Sequence, residues 1–230
     1  MKKIDQVSIV IPIYNEEGNI NILLDEIIEN LSFLNSYEVI IIDDFSSDNS
    51  KKQVLEKNIK NLRLVKNSIN RGQSYSIYKG VKLSKYNTII TIDGDLQNDP
   101  KDIKKLLIKY NDDDKIKLVS GIRTNRKDTY LKIISSKIAN SIRSYILKDN
   151  CIDTGCSLKI FDKNTFLKIP FFNGLHRFIP ALFIGMRCNV IYMNVNHRHR
   201  KYGISKYSTL NRLFRGIYDI YRVRRIIKNI

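Results

Sequence analysis

The chain has 230 residues, 43% of them hydrophobic, and a formal net charge of +17 at neutral pH. That length suits one domain with a buried core, and that composition excludes a disordered chain. So positive a charge implies an anionic partner, whether nucleic acid, nucleotide phosphates or an acidic membrane surface, and does not by itself choose among them.

In chain order, "QVSIVIPIY" reads as a buried strand. "GNINILLDEIIENL" then sets Ile20, Leu23, Leu24, Ile27, Ile28 and Leu31 on one helical face. "YEVIIIDD" is a second strand, and "SSDNS" offers Ser47 or Asp48 as a helix cap. "NLRLVKN" is a third strand, followed by a helix over residues 71–85. "NTIITIDGD" is a fourth, and Pro100 is predicted at the first position of the helix "PKDIKKLLIKY". "IKLVSGIR" is a fifth. Residues 129–147 read as a helix, with short strands around 157–161 and 189–196.

The last segment places Leu210, Leu213, Phe214, Ile217, Ile220, Tyr221, Ile227 and Ile230 at helical spacing. Arg212, Arg215, Arg222, Arg224, Arg225 and Lys228 surround them, against one acid, Asp219. Such a helix packs its stripe on the core or lies on an anionic leaflet, and the two are compatible.

Alternating strands and helices predict an α/β fold, a mostly parallel sheet with helices on both faces. Ligands of such sheets bind beyond the carboxyl ends of the strands. Asp43, Asp44, Asp93 and Asp95 all fall at such ends. Cys151, Cys156 and Cys188 form no metal-ligand spacing. Their odd number, with no secretory signal at the N-terminus, points to a reducing compartment. No apolar run approaches the ~18–20 residues of a spanning helix. His197 and His199 in "HRHRKYG" share one strand face, yet a metal site needs a third ligand.

The chemistry centres on "TIDGDLQNDP". Asp93 and Asp95 stand two residues apart where the strand ends, and a turn at Gly94 keeps both at one place. The shared task for such a pair is a hard divalent cation, Mg²⁺ or Mn²⁺, with Gln97 adding a carbonyl oxygen. That ion would hold a diphosphate and neutralise charge as it leaves. The plain alternative is a polar turn whose aspartates cap backbone amides. In "IPIYNEEGNI" Glu16 sits in the loop after the first strand. In "IIIDDFSSDNS" Asp44 is placed to accept from a base or ribose, or simply to cap.

Six stretches, "VSIVIPIYNEEGNI", "VIIIDDFSSDNS", "TIDGDLQNDP", "LVSGIR", "DTGCSLKIF" and "HRHRKYGISKY", together resemble the family 2 glycosyltransferases of GT-A fold, nearest the dolichol-phosphate mannose synthase group. The resemblance implies a Rossmann-like GT-A catalytic domain over residues 1–206 and a basic amphipathic helix over 207–230. It implies an inverting transfer of a hexose, of mannose or glucose type, from GDP-mannose or a UDP-hexose to a polyprenyl phosphate, with Mg²⁺ or Mn²⁺. By position, Pro12, Tyr14, Glu16, Ile42 and Asp44 correspond to the nucleoside site. Asp93, Gly94, Asp95 and Gln97 correspond to the metal and diphosphate site. Arg123 matches an arginine between donor and acceptor, and Arg200 and Lys206 match the basic residues of the "G-x-S-K" loop. Asp95, Arg123 and Asp153 are the implied catalytic residues. Two departures stand out: Lys159 where the family's "SGFR" turn carries arginine, and Gly94 where many members carry alanine.

A phosphate monoester is already an anion and needs positioning rather than deprotonation. Arg123, Arg200, Lys206, Arg177 and Arg198 are the basic residues available to grip it. This predicts a cytoplasmic protein peripheral on the inner face of the membrane. A saccharide or protein hydroxyl as acceptor would instead need a base, with Asp153 the candidate. A basic nucleic-acid-binding module is the third reading. The chain holds no helix-turn-helix, RNA-recognition or zinc pattern, so no nucleic-acid partner is expected.

Overall fold

The computed structural model describes residues 6–124, 141–199 and 209–229, with side chains of the last helix from residue 216 onward. In chain order the elements begin β1 (Gln6–Ile13), α1 (Ile20–Asn30), β2 (Ser36–Asp43), α2 (Ser50–Glu56) and β3 (Leu62–Lys66). Next come α3 (Gln73–Leu83), β4 (Thr88–Thr91), α4 (Asp102–Asn111), β5 (Ile116–Arg123) and α5 (residues 141–147). The chain continues through β6 (Lys159–Asp162), α6 (Lys163–Leu167), α7 (Ile179–Gly185), β7 (Asn189–Val195) and α8 (Thr209–Lys228). A 3₁₀ turn, Leu175–Arg177, precedes α7.

The strands form one sheet in the order β3-β2-β1-β4-β6-β5-β7. Among the described strands only β6 runs against its neighbours, β4 and β5. The predicted mostly parallel α/β architecture is therefore present. Strand order reverses between β1 and β4, which opens a crevice at their carboxyl ends.

Central strands covered on both faces read as unbroken apolar runs, as in Val39–Ile42 of β2. On one face Ile9 and Ile11 of β1 pack with Leu23, Leu24 and Ile27 of α1 and Leu106 and Tyr110 of α4. On the other, Val10 and Ile89 pack with Ile77 and Val81 of α3, Phe161 and Phe166, and the α7 side chains Leu182 and Phe183. Val223 of α8 is buried in this second core.

Pro100 does not open α4. The helix starts at Asp102, two residues later, because Asp99 directs the entry: its Oδ1 accepts from Lys101 N and its carbonyl from Asp102 N.

Candidate active site

β4 stops at Thr91, and Gly94 and Asp95 form a turn, with Leu96 following at φ 62°. The turn brings the two acids together as the spacing predicts. Asp93 is pushed up to about 7, first by burial and then by the charge of Asp95. Gln73 Nε2, at the start of α3, donates to Asp93 Oδ1 at 2.7 Å. The Asp93 N–H donates to Ser157 Oγ at 3.1 Å, and Ser157 in turn donates to Asn98 Oδ1 at 2.5 Å. Asp95 is nearly buried, and its Oδ1 accepts from Gln97 N at 3.2 Å. Gln97 is half-buried, and its carbonyl accepts from Arg198 N at 2.8 Å.

The chemistry of this donor set fits a hard cation. Two carboxylates and an amide offer only oxygen ligands, the set that suits Mg²⁺ or Mn²⁺. Among the described residues no three His, Cys, Asp or Glu side chains cluster as a metal cage. Magnesium-type sites are commonly built from one or two carboxylates, completed by water and substrate phosphate. Gly94 leaves little spare room: a Cβ there would lie 2.8 Å from Ile13 Cγ2.

The loops after β1 and β2 are laced into one frame. Pro12 pairs with Ile42 in the sheet register, and Tyr14 is exposed beyond the strand end. Glu16 N donates to Ser50 Oγ, Asn15 N to Ser46 Oγ, and Asp48 Oδ1 accepts from Ser50 N. Asp44 is nearly buried and serves the β3–α3 loop. Its Oδ1 accepts from Asn67 Nδ2 and Arg71 N, and its Oδ2 from Gly72 N at 2.7 Å.

Across the crevice, Arg123 ends β5 and grips Asp153. Its Nε donates to Oδ2 at 2.8 Å and its Nη2 to Oδ1 at 2.7 Å, a bidentate fork. Arg123 N adds a third bond to Oδ2 at 3.0 Å, and Gly155 N a fourth to Oδ1 at 3.2 Å. Burial works against the guanidinium charge, and these bonds more than offset it. A Cβ at Gly155 would sit 2.5 Å from Arg123 Nη2, so the fork would have to shift.

Two of the basic residues proposed to grip phosphate have structural partners. Arg198 Nη1 bonds both Glu26 carboxylate oxygens at 2.9 and 2.7 Å, and its Nη2 bonds Asp99 at 2.6 Å. Arg177 Nη2 bonds Asp219 of α8 at 2.6 Å. Arg200 and Lys206 lie outside the described residues. His197 bridges to Asn98 in the strand sense. Lys159 is buried, and its ammonium donates to the Cys156 carbonyl. Burial pushes the Cys156 thiol up to about 11, so it stays protonated and inert at neutral pH.

The sequence reading did not single out Gln73, Ser74, Ser157 or His176. Ser74 Oγ lies 2.6 Å from His176 Nδ1. Burial, then the charges of Arg177 and Lys159, push this imidazole down from 6.5 to about 3. Between those values the unfolded chain binds a proton that the folded chain refuses, so stability there rises with pH. The stabilisation is complete above 6.5 and is lost progressively as pH falls toward 3. His176→Gln is expected to flatten this part of the curve, read as the difference in urea midpoints between variant and wild type from about pH 4 to about pH 7.

Comparison with known proteins places the chain in a family and the fold among solved structures. The chain is 35% identical over 226 residues to the dodecaprenyl-phosphate galacturonate synthase of Rhizobium johnstonii, covering 95% of this chain and 66% of that one. It is 34% identical over 223 residues to the undecaprenyl-phosphate 4-deoxy-4-formamido-L-arabinose transferase of Proteus mirabilis, covering 95% and 68%. The chain thus spans about two thirds of the length of these relatives. Its fold is similar to that of glucosyl-3-phosphoglycerate synthase from Mycobacterium tuberculosis, crystallised with Mn²⁺, uridine diphosphate and glucosyl-3-phosphoglycerate. The TM-score is 0.72 at 16% identity, over 95% of this chain and 78% of that one. The glycosyl transferase family 2 profile matches residues 8–172, from β1 past the Ser157 turn and α6, and the chain belongs to that family.

Proposed function

We propose that this chain transfers a hexose from a nucleotide-diphosphate sugar to a polyprenyl phosphate, with inversion at the anomeric carbon. One observation carries the choice of acceptor: both oxygens of Asp153 are engaged by Arg123 and Gly155. A carboxylate so engaged is a poor proton acceptor, so the site favours an attacker that is already anionic. Both polyprenyl-phosphate relatives support the same choice.

In this reading a phosphate oxygen of the acceptor forms the new bond to the anomeric carbon. The bond from that carbon to the diphosphate breaks, and the nucleoside diphosphate leaves with the electron pair. When bound, Mg²⁺ or Mn²⁺ supplies positive charge at the leaving diphosphate. Asp93, Asp95 and Gln97 would hold it. Pro12, Tyr14, Glu16, Ile42 and Asp44 frame the nucleoside, with Asp44 acting through the 67–72 loop it fixes. Arg123 faces the charge that passes between acceptor and donor, and Asp153 orients its fork. Arg200 and Lys206 belong to the acceptor side in this reading.

Residues 1–206 form the catalytic unit in this proposal, and α8 brings it to the membrane surface. No helix among the described residues is long and apolar enough to cross a membrane. The inner face of α8 buries Asp219 and Val223 and rests Ile220, Ile226 and Ile227 on the second core. Its outer face exposes Ile217, Tyr218 and Tyr221, followed along the same side by Arg224, Arg225 and Lys228. Apolar and aromatic groups ahead of a basic run suit the interface of an anionic leaflet, here the inner face of the cytoplasmic membrane.

The test uses vesicles holding phosphatidylglycerol and undecaprenyl phosphate, with Mn²⁺ and a panel of GDP-mannose, UDP-glucose and UDP-galacturonate. A labelled glycolipid and co-flotation of the protein are expected. No glycolipid from any donor overturns the proposal. Transfer to a soluble saccharide without flotation would instead support a hydroxyl acceptor.

A further inference from the structure

The turn at residues 174–177 carries a group that the transfer described above does not use. A serine hydroxyl has one hydrogen and two lone pairs. Ser74 Oγ accepts from Gly174 N–H at 2.9 Å and, more weakly, from His176 N–H at 3.5 Å. Both lone pairs are then engaged, so the 2.6 Å contact to His176 Nδ1 is made by the hydroxyl hydrogen. Nδ1 is the acceptor, and the ring proton sits on Nε2. Among the described residues no hydrogen bond occupies Nε2.

The ring is tied to the site through the start of α3. Ser74 follows Gln73, whose amide binds Asp93 at 2.7 Å. Arg177 is the next residue, and the charge of Lys159 acts on both the imidazole and Asp93. With the charges of Arg177 and Lys159 both acting on the imidazole, a neutral N–H donor here suits an anionic oxygen better than a sugar hydroxyl.

We infer that His176 binds a phosphate oxygen of a substrate through its Nε2–H, and that Ser74 fixes the tautomer that makes this possible. The inference rests on the transfer reading above. The phosphate oxygen belongs either to the diphosphate of the donor or to the monoester of the acceptor, and the arms of the test separate the two.

The full chain, as wild type, His176→Gln and His176→Phe, is titrated calorimetrically with uridine diphosphate plus Mn²⁺ and separately with farnesyl phosphate. His176→Phe is expected to weaken one ligand by about tenfold to a hundredfold, as loss of a hydrogen bond to a charged group does. Glutamine places an amide N–H near the position of Nε2 and is expected to recover most of that loss. The ligand that weakens identifies the phosphate. Equal binding of both ligands by wild type and His176→Phe overturns the inference, and so does glutamine as weak as phenylalanine. ¹⁵N NMR of the wild-type imidazole gives a reading independent of any variant: a proton on Nδ1 also overturns it. Wild type that binds the nucleotide but no farnesyl phosphate sinks the polyprenyl-phosphate reading, and the nucleotide arm then decides the role of His176.

Discussion

Changing Asp95 to asparagine is expected to lower sugar transfer by about a thousandfold and to abolish its response to manganese. The substitution keeps the shape of the side chain and an oxygen to accept from Gln97 N, so the turn survives. It removes one of the two negative charges that sit together at the end of β4. Asp93 then loses the neighbour that helps to hold its pKa near 7, so the loss comes from too little negative charge at the site rather than from misfolding. Initial rates against Mn²⁺ concentration, with a melting curve as control, check this. Unchanged rates and unchanged manganese dependence would show that the acids serve only the turn.

The second large effect is expected at Arg123. Its fork is the main partner of Asp153, whose side chain is only 6% exposed. Arg123→Leu leaves that carboxylate buried without its guanidinium and is expected to cost about 3–5 kcal/mol of stability, together with nearly all transfer. In the double variant Arg123→Leu, Asp153→Asn the buried charge is gone. Stability is expected to return in large part, while transfer does not. That separation assigns the guanidinium to the reaction and the carboxylate to holding it. Asp153→Asn alone gives the complementary reading. A general base would cost about 10²–10⁴ in rate and remove the acidic limb of the pH profile. The geometry predicts a loss of only about tenfold, from a weakened charge-assisted contact, with that limb intact.

Most of the fold was legible because its signals are local. The apolar runs of β1, β2 and β4 and the helical spacing of Leu23, Leu24 and Ile27 declare themselves within a few residues. β6 and β7 also lie where short strands were expected. The short helices α6 and α7 were not read, and two element ends moved where one residue decides: Asp99 delays α4, and Gly72 at φ 83° delays α3 to Gln73.

The acid pair, Arg123 and Asp153 were readable as motifs, but their partners were not. Ser157 is 64 residues from Asp93 in sequence, Gln73 is 20 away, and neither residue type announces a role. Arg198 and Arg177 show the same limit from the other side. As charges they looked available to a ligand. Glu26, 172 residues from Arg198, and Asp219, 42 residues from Arg177, claim them instead. A lone acid among six basic residues on the terminal helix was a usable signal, since an isolated opposite charge tends to mark a buried pair.

The reversal of β6 has a consequence for how such an enzyme can change. Because β6 runs backwards, the segment leading into it, Asp153 to Leu158, arrives at the edge where β4 and β5 finish. The stretch between Thr124 and Ile152 therefore leaves and rejoins the sheet at one point, clasped by Arg123 and Asp153. Doubling the length of such an excursion adds only about 0.6 kcal/mol of closure entropy. Added length there is therefore cheap so long as Leu147, Asp149 and Cys151 keep their buried places, and every strand would keep its register with the acid pair where it is.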